Sequence, residues 1–132
     1  PGHGVWEDNK TVGLKDLPLA PESVVGFHSP HDKKHAPHAS ILADHFKLRA
    51  LGTSTIHLAY VANGLFDAVV DHNVKVWDIA SAVPLVLAGG GAVEFISKSP
   101  FPLREFDLKM ARTFYLAGSQ DGVTELRRLL DV

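Results

Sequence analysis

Residues 52–91, GTSTIHLAYVANGLFDAVVDHNVKVWDIASAVPLVLAGGG, pass from a helical pattern to a strand pattern and back to a helical one. The first part predicts a helix with Thr53 or Ser54 at its N-cap and with Gly64 after its last turn. The β-branched and aromatic run LFDAVVD predicts a strand that ends at Asp71. This order of helix, strand and helix is typical of a sheet covered by helices.

The last part of the stretch, DIASAVPLVLAGGG, predicts an apolar helix with Asp78 as its N-cap. Pro84 lies inside this pattern and is expected to kink the helix or to open one backbone hydrogen bond. The glycines at 89–91 look like a phosphate-binding loop, but such a loop lies between a strand and a following helix. Here the glycines follow a helix and precede AVEFIS, which is interpreted as a strand. They therefore indicate the end of the helix.

The flanking sequence adds further elements of both kinds. PESVVGFHS predicts a strand at about residues 23–28, residues 37–46 suit a helix, and KLRALG and ARTFYLAGS predict two more strands. The run SQDGVTELRRLLDV predicts an amphipathic helix, and its inward face carries Val123, Leu126, Leu129 and Leu130. We therefore predict an α/β protein with a layered, mostly parallel or mixed sheet of about five strands flanked by helices.

The composition excludes several classes of protein. The 132 residues correspond to about one domain, and a formal net charge of −2 provides no basic field for nucleic acid or for an anionic membrane. The absence of cysteine excludes disulfide bonds and thiolate metal sites, and it is consistent with a reducing, cytoplasmic location. No apolar run approaches the roughly 18 residues that a membrane-spanning helix needs. We expect neither nucleic acid nor a membrane as a partner.

Two aspartates lie at the junction between the predicted strand and the second helix. Asp78 has an ordinary interpretation as a cap, because a carboxylate accepts hydrogen bonds from the free amides of a first helical turn. Asp71 is placed at the carboxyl end of a strand, which is where ligands bind in parallel sheets. Together the two carboxylates suit a hard cation such as Mg²⁺, which takes oxygen ligands. Such a site needs at least one more carboxylate from elsewhere.

The sequence LGTSTI places a turn before the first helix of the stretch. Gly52 allows the backbone to approach a ligand, and Thr53 and Ser54 bring hydroxyl and amide groups to the helix N-terminus. Such a point suits an anion or a sugar hydroxyl. The alternative is an ordinary cap after a tight turn, which spacing alone favours. His57, inside the helix, is interpreted as an ordinary helix-face residue.

Five histidines lie in one polar stretch, at His28, His31, His35, His38 and His45. Neutral imidazoles at such spacings are able to bind Zn²⁺ or Ni²⁺. No acidic or cysteine pattern frames them, and the stretch also contains lysine and proline. A solvated loop and helix is the simpler interpretation, and a histidine-dependent metal site stays open as an alternative.

The residues 48–95, from LRALGTSTI to GGGAVEF, resemble the C-terminal half of the inositol monophosphatase family, which are Mg²⁺-dependent, lithium-sensitive phosphatases of sugar phosphates. The matching features occur in order: an arginine before a Gly-Thr/Ser turn, a helix with LAYVANG, the strand FDAVVD, a Trp-Asp pair opening an alanine-rich helix, and AGG. GHGVWEDNK resembles the family's glycine-aromatic hairpin, and FYLAGSQDGVTELRRLL resembles its last strand and helix. The resemblance covers most of the chain.

The resemblance implies roles for the residues singled out above. The aspartate of the family's Trp-Asp pair is a metal ligand, which implies that Asp78 binds Mg²⁺. The acidic residue seven positions earlier contacts substrate hydroxyls, which implies this role for Asp71. The family's Gly-Thr-Ala turn contacts phosphate or sugar, which implies that Gly52, Thr53 and Ser54 bind the substrate.

The first half of the family carries a glutamate pair and an Asp-Pro-x-Asp-Gly-Thr motif, which supply most metal ligands, activate the attacking water and hold the phosphate. This sequence has no Asp-Pro pair. The resemblance therefore implies that residues 1–132 are a single domain, the C-terminal half of such a protein, with residues 1–12 a remnant hairpin of the missing N-terminal half. It implies no catalytic residue in this chain and a homodimer for the complete protein.

These implications predict the substrate-side half of a Mg²⁺-dependent phosphatase for a small phosphate monoester such as inositol monophosphate, inactive alone. Two other interpretations stay open: a non-catalytic binding or interaction module that keeps the fold, and a histidine-rich metal-binding protein. Members of the family act on inositol phosphate, fructose bisphosphate, histidinol phosphate and phosphoadenosine phosphate, so the resemblance leaves the substrate open.

Overall fold

The computed structural model of the chain describes residues 4–28 and 32–132 and shows a five-stranded mixed sheet with helices on both faces. The strands are β1 (Val5–Glu7), β2 (Lys10–Val12), β3 (Val24–Phe27), β4 (Lys47–Arg49), β5 (Ala68–Val74), β6 (Ala92–Phe95) and β7 (Thr113–Gly118). The helices are α1 (Ala36–His45), α2 (Ser54–Ala62), α3 (Val83–Ala88) and α4 (Gln120–Leu130), with a 3-10 helix at Val76–Asp78. The predicted α/β class with a layered, mixed five-stranded sheet is confirmed.

The sheet is parallel on one side and antiparallel on the other, with the strand order β4-β3-β5-β7-β6. β3 pairs in parallel with both β4 and β5, and α1 and α2 connect these three strands along the chain. β7 pairs antiparallel with β5 and with β6. The carboxyl ends of β3, β4 and β5 therefore meet at one end of the sheet, which is where ligands bind in open parallel sheets.

Two apolar cores lie on opposite faces of the sheet. On one face α2 and α3 pack against Val69 and Tyr115, and on the other α1 and α4 pack against Val70 and Leu116. Val69 and Val70 are neighbours in β5 that point to opposite faces. Full burial of such a valine or leucine stabilises the fold by roughly 1.5–3 kcal/mol.

Within residues 4–28 and 32–132, no helix combines the length and apolar character needed to cross a membrane.

Helix α4 confirms the amphipathic pattern of the last residues. Val123, Leu126 and Leu130 are buried, and Leu129 is partly buried at the rim of the same core. The Ser119 hydroxyl caps the helix by accepting a hydrogen bond from the backbone amide of residue 122 at 3.0 Å. The sequence pattern therefore located both the apolar face and the start of this helix.

The hairpin of β1 and β2 also agrees with the sequence. Glu7 pairs with Lys10, so Asp8 and Asn9 form a two-residue turn. Both turn residues have positive φ, 48° and 62°, as a type I′ turn requires. Aspartate and asparagine tolerate this left-handed conformation better than most residues.

The segment after β5 differs from the prediction in two places. Asp78 is not a helix N-cap, because it ends the 3-10 helix and α3 begins only at Val83, with Ala82 in the N-cap position. Pro84 lies in the first turn of α3, where a missing amide costs no intrahelical hydrogen bond. The expected kink is therefore absent from α3, and the residues between Asp78 and Ala82 form turns.

The glycines at 89–91 end α3, as predicted. Gly89 is the C-cap, and Gly90 has a φ of +86°. A Cβ atom on Gly91 would lie 2.9 Å from the carbonyl oxygen of Gly118 in the neighbouring strand. The small residues thus allow the tight passage from α3 into β6, and they form no phosphate-binding loop.

Candidate functional site

A polar pocket of about 170 Å³ lies where the three parallel strands end. Its walls come from residues at or after the ends of β3, β4 and β5, and from one arginine of the segment before β7. The lining residues are His28, Gly52, Thr53, Ser54, Asn73, Val74, Asp78 and Arg112. The structure thus brings together four of the five predicted site residues, namely Gly52, Thr53, Ser54 and Asp78. We call this site the polar pocket.

The turn before α2 brings the N-terminus of that helix to the polar pocket. Gly52 has a φ of +73°, a conformation that glycine adopts without strain. Thr53 occupies the N-cap position with an extended backbone, but its side chain makes no capping hydrogen bond. The first amides of α2 therefore lack the partner that a side-chain cap supplies. Free amides and the partial positive charge of a helix N-terminus favour an anion here.

Asp78 lies beside this helix N-terminus and is exposed. The Thr55 hydroxyl donates a hydrogen bond to the Asp78 backbone carbonyl, which ties the 3-10 helix to the first turn of α2. The interpretation of Asp78 as a helix cap is wrong, since no helix starts at this residue. Its role as a metal ligand stays a prediction.

Asp71 lies outside the polar pocket, in a fully buried network. β5 continues through Asp71 to Val74, so the strand does not end at Asp71 as predicted. The carboxylate is 0% exposed. His57 Nδ1 lies 3.0 Å from Oδ1, and the Tyr115 hydroxyl donates to Oδ2 at 2.8 Å. This enclosure leaves the carboxylate no open face toward a ligand, so direct contact with substrate hydroxyls stays a prediction without support from the geometry.

His57 connects Asp71 to the turn that lines the polar pocket. The Leu51 amide donates to His57 Nε2 at 3.1 Å, so Nδ1 carries the ring proton and donates it to Asp71. His57, interpreted from the sequence as an ordinary helix-face residue, is 1% exposed. Burial raises the pKa of Tyr115 well above its ordinary value, and the charge of Asp71 adds to this rise, so Tyr115 stays a hydrogen-bond donor. The network fixes the backbone immediately before Gly52.

Three polar residues that line the polar pocket were not predicted to do so: His28, Asn73 and Arg112. Arg112 donates to the Asn73 carbonyl, and Asn73 has a φ of +57° at an irregularity in the pairing of β5 with β7. Burial lowers the pKa of His28 below its ordinary 6.5, so its imidazole is neutral at pH 7. His28 could have been predicted, because it lies directly after β3. Ligands bind at the carboxyl ends of parallel strands, and this rule, which selected Asp71, applies equally to His28.

Two histidines of the histidine-rich segment, His35 and His38, pack in an aromatic cluster with His72 and Phe114. His35 stacks on His72 with ring centroids 3.9 Å apart, and His38 Nδ1 lies 3.2 Å from His72 Nε2. Both His35 and His38 also contact Phe114. Burial lowers the pKa of His72 to about 3. Residues 4–28 and 32–132 contain no group of three or more histidine or acidic side chains placed to hold a metal ion, and His31 lies outside these ranges.

Comparison with known proteins relates this architecture to phosphatases. The model of the inositol monophosphatase family matches residues 2–127. A fructose-1,6-bisphosphatase/inositol-1-monophosphatase of Aquifex aeolicus is 25% identical over 129 residues, covering 86% of this chain and 48% of that protein. An inositol-1-monophosphatase of Caulobacter vibrioides is 32% identical over 74 residues, covering 56% of this chain and 27% of that protein.

The structural comparison agrees with the sequence comparison. The structure of an inositol monophosphatase from Anabaena superposes with a TM-score of 0.80 at 22% identity, covering 98% of this chain and 52% of that one. At this identity the likeness shows the fold alone. The chain spans about half the length of the Aquifex and Anabaena proteins. Because the family model matches nearly the whole sequence and the fold agrees, this chain belongs to the inositol monophosphatase family.

Proposed function

We propose that this chain forms the substrate-binding side of a Mg²⁺-dependent phosphatase for a small phosphate monoester, and that it does not turn over substrate by itself. The observation that carries the proposal is the polar pocket, where Arg112, the N-terminus of α2 and the Asp78 carboxylate lie together at the ends of parallel strands. Relatives named as inositol-1-monophosphatase and fructose-1,6-bisphosphatase support hydrolysis of a phosphate ester as the activity of the complete protein.

The donors of the polar pocket add to the phosphate contacts that the resemblance assigns to the Asp-Pro-x-Asp-Gly-Thr motif, and they orient the ester. The guanidinium of Arg112 presents N–H groups in a planar fork that matches phosphate oxygens. The amides of the first turn of α2 and the hydroxyl of Thr53 add donors on a second wall. The neutral imidazole of His28 is able to donate one further hydrogen bond. Holding the ester in one orientation is the contribution of these residues to catalysis.

The polar pocket supplies only part of a Mg²⁺ site. The ion prefers about six oxygen ligands and is held in proteins by one or two carboxylates together with water and substrate oxygens. Asp78 is the one carboxylate among the lining residues, and residues 4–28 and 32–132 form no larger metal-binding group. Asp78 is therefore assigned a single ligand position. The need for further ligands is the physical reason for expecting no turnover by this chain.

The remaining ligands are expected from a second half that carries the glutamate pair and the Asp-Pro-x-Asp-Gly-Thr motif. Coverage of about half of the Aquifex and Anabaena relatives supports this expectation. The β1-β2 hairpin is separate from the five-stranded sheet, which supports the interpretation of residues 1–12 as a remnant of that other half. A homodimeric complete protein and a cytoplasmic location belong to the same proposal.

The proposal is tested by measuring phosphate binding and phosphate release with the purified chain. We expect inorganic phosphate to bind, and binding to weaken about tenfold in Arg112→Gln, which loses a charge-assisted hydrogen bond. Arg128→Gln, at an exposed position of α4, is the matched control and should bind like the unchanged protein. Release of phosphate from inositol monophosphate with Mg²⁺ should not exceed the blank. Robust, lithium-inhibited release would contradict the proposal.

A non-catalytic binding module is the second candidate, and the enclosure of Asp71 favours it, because the carboxylate predicted to hold substrate hydroxyls is 0% exposed. The two candidates differ in one measurement. A longer protein that contains these residues and the missing motifs should release phosphate under the first candidate. It should bind phosphate without releasing it under the second.

A further inference from the structure

A second cavity, of about 560 Å³, lies between the loop that follows β6 and the start of β7. Its apolar wall is formed by Pro100, Phe101, Pro102, Leu103 and Met110. Phe101 packs on Phe95 of the core with ring centroids 5.9 Å apart, whereas Leu103 remains 41% exposed. A concave apolar wall in contact with water favours an apolar group of a ligand. We call this site the apolar cavity.

The polar residues of the apolar cavity carry an excess of positive charge. Lys98, Arg104 and Arg112 line it, against the single carboxylate of Glu105. This local excess contrasts with the net charge of −2 for the whole chain. The ligand that complements such a wall is an organic anion.

Arg112 lines both the apolar cavity and the polar pocket. The two sites are also joined through the backbone, because Arg112 donates to the Asn73 carbonyl and Lys75 Nζ donates to the Met110 carbonyl. Residues 73–78 therefore carry one wall of the polar pocket and anchor the loop that forms the apolar cavity. Arg112 thus lies between a site that suits an anion and a site that suits an apolar group.

The carboxylate that the resemblance assigns to a polyol substrate is closed to it. Asp71, to which the resemblance assigns substrate hydroxyls, is sealed by His57 and Tyr115 and is 0% exposed. A hydroxyl group of a bound polyol loses its hydrogen bonds to water. Where it finds no new partner in the protein, this loss is not compensated and the polyol binds more weakly. The closed carboxylate and the apolar wall therefore point to the same kind of substrate.

We propose, building on the function proposed above, that the substrate is a phosphate ester of an apolar or aromatic alcohol rather than of a polyol. Its phosphate lies in the polar pocket, Arg112 lies between the two sites, and Leu103 contacts its organic part.

The test compares the binding of three probes to the purified full chain in the presence of Mg²⁺. The probes are inorganic phosphate, 1-naphthyl phosphate and inositol 1-phosphate. Isothermal titration calorimetry measures each dissociation constant. We expect 1-naphthyl phosphate to bind about tenfold more tightly than the other two, because its rings leave water on binding. Equal binding of the three probes, or tighter binding of inositol 1-phosphate, overturns the proposal.

Two variants of the loop between β6 and β7 test whether the apolar cavity causes the tighter binding of 1-naphthyl phosphate. Leu103→Glu places a charge in the apolar wall and should remove the advantage of 1-naphthyl phosphate without changing the affinity for inorganic phosphate. Leu108→Glu is the matched control, because Leu108 is 73% exposed and is not among the lining residues. A naphthyl advantage that survives Leu103→Glu overturns the assignment of the cavity.

Failure of this inference and failure of the proposed function give different results. If inorganic phosphate binds and responds to Arg112→Gln, while the naphthyl group adds no affinity, only the inference about the organic part fails. If none of the three probes binds, the proposed function and this inference fail together.

Discussion

His57 Nδ1 lies 3.0 Å from Asp71 Oδ1, and the two side chains are 1% and 0% exposed. The Leu51 amide donates to the other ring nitrogen, so this histidine is a neutral donor to a buried carboxylate. The Tyr115 hydroxyl donates a hydrogen bond to the second carboxylate oxygen of Asp71. A residue expected to touch the substrate is thus part of a network that holds the turn beside the polar pocket.

This network predicts a large effect of removing the carboxylate. Asp71→Ala should lower the free energy of unfolding by roughly 2–6 kcal/mol, because it leaves two buried donors, those of His57 and Tyr115, unpaired at a cost of about 1–3 kcal/mol each. Asp71→Asn keeps an acceptor for His57 and should cost roughly 1–3 kcal/mol. Urea unfolding at pH 7 measures both, with Asp44→Ala at an exposed position of α1 as control. An unchanged unfolding free energy in Asp71→Ala would show that the pair does not stabilise the fold.

Asp78 should contribute little to stability. Because no helix starts at Asp78, both Asp78→Ala and Asp78→Asn should stay within about 0.5 kcal/mol of the unchanged protein. A capping aspartate behaves differently, since its replacement by alanine costs about 1 kcal/mol while asparagine caps equally well. Thermal unfolding of the two variants distinguishes the cases. A loss confined to the alanine variant would restore the helix-cap interpretation.

The neutral His72 predicts a loss of stability in acid. Burial lowers its pKa to about 3, whereas the unfolded chain binds the proton near 6.5. Between these values the unfolded state holds more protons than the folded state, so stability falls as the pH falls. From pH 7 to pH 5 this one group should cost about 2 kcal/mol. Asp32, with a pKa of about 2, titrates below this window.

Substitution of the histidine isolates its share of the pH dependence. His72→Phe removes the titrating group while keeping an aromatic ring beside Phe27 and Phe114, so urea unfolding at pH 7 and pH 5 should give a smaller difference. His45→Gln, at an exposed position of α1, should leave the difference unchanged. A His72→Phe protein with the full original pH dependence would assign the effect to other groups.

The regular elements could be predicted because their patterns are local. The period-2 and period-3.6 patterns of β5, β7 and α4 are properties of neighbouring residues, and each element was found within a few residues of its predicted place. Prediction failed where a local signal had two meanings. Pro84 is compatible both with an interrupted helix and with a helix start. Residues 79–82 form turns, so α3 begins just before Pro84 and the proline lies at a helix start.

The site was predictable only in part, because its remaining contacts are long-range. Gly52–Ser54 and Asp78 were found from the turn and the resemblance, and the structure places them in one pocket. The surroundings of Asp71 depend on His57 and Tyr115, which lie 14 and 44 positions away in the chain. Arg112 comes from an irregular segment, which carries no periodic pattern that could have selected it.

Exposed apolar side chains predict self-association. Leu17 and Leu65 are 65% and 57% exposed, and the nearby pair of Lys15 with Asp67, 3.2 Å apart, brings their two segments together. Apolar surface of this kind drives association. Sedimentation velocity should show reversible association that the double variant Leu17→Lys/Leu65→Lys weakens about tenfold. Leu108→Lys should leave the association unchanged. A protein that stays monomeric at high concentration would show that Leu17 and Leu65 do not form an association surface.

The most direct test of the central claim is to map where phosphate binds by ¹H–¹⁵N NMR of the purified chain, with and without Mg²⁺. We expect inorganic phosphate to shift the amide signals of Gly52, Thr53 and Ser54 most strongly, Arg112→Gln to weaken these shifts, and Mg²⁺ to strengthen them. Asp78→Asn should remove the gain from Mg²⁺ while leaving the phosphate shifts themselves, because a neutral amide replaces the charge that the ion requires. Shifts that lie elsewhere in the fold, or a gain from Mg²⁺ that survives Asp78→Asn, would contradict the assignment of phosphate and Mg²⁺ to the polar pocket.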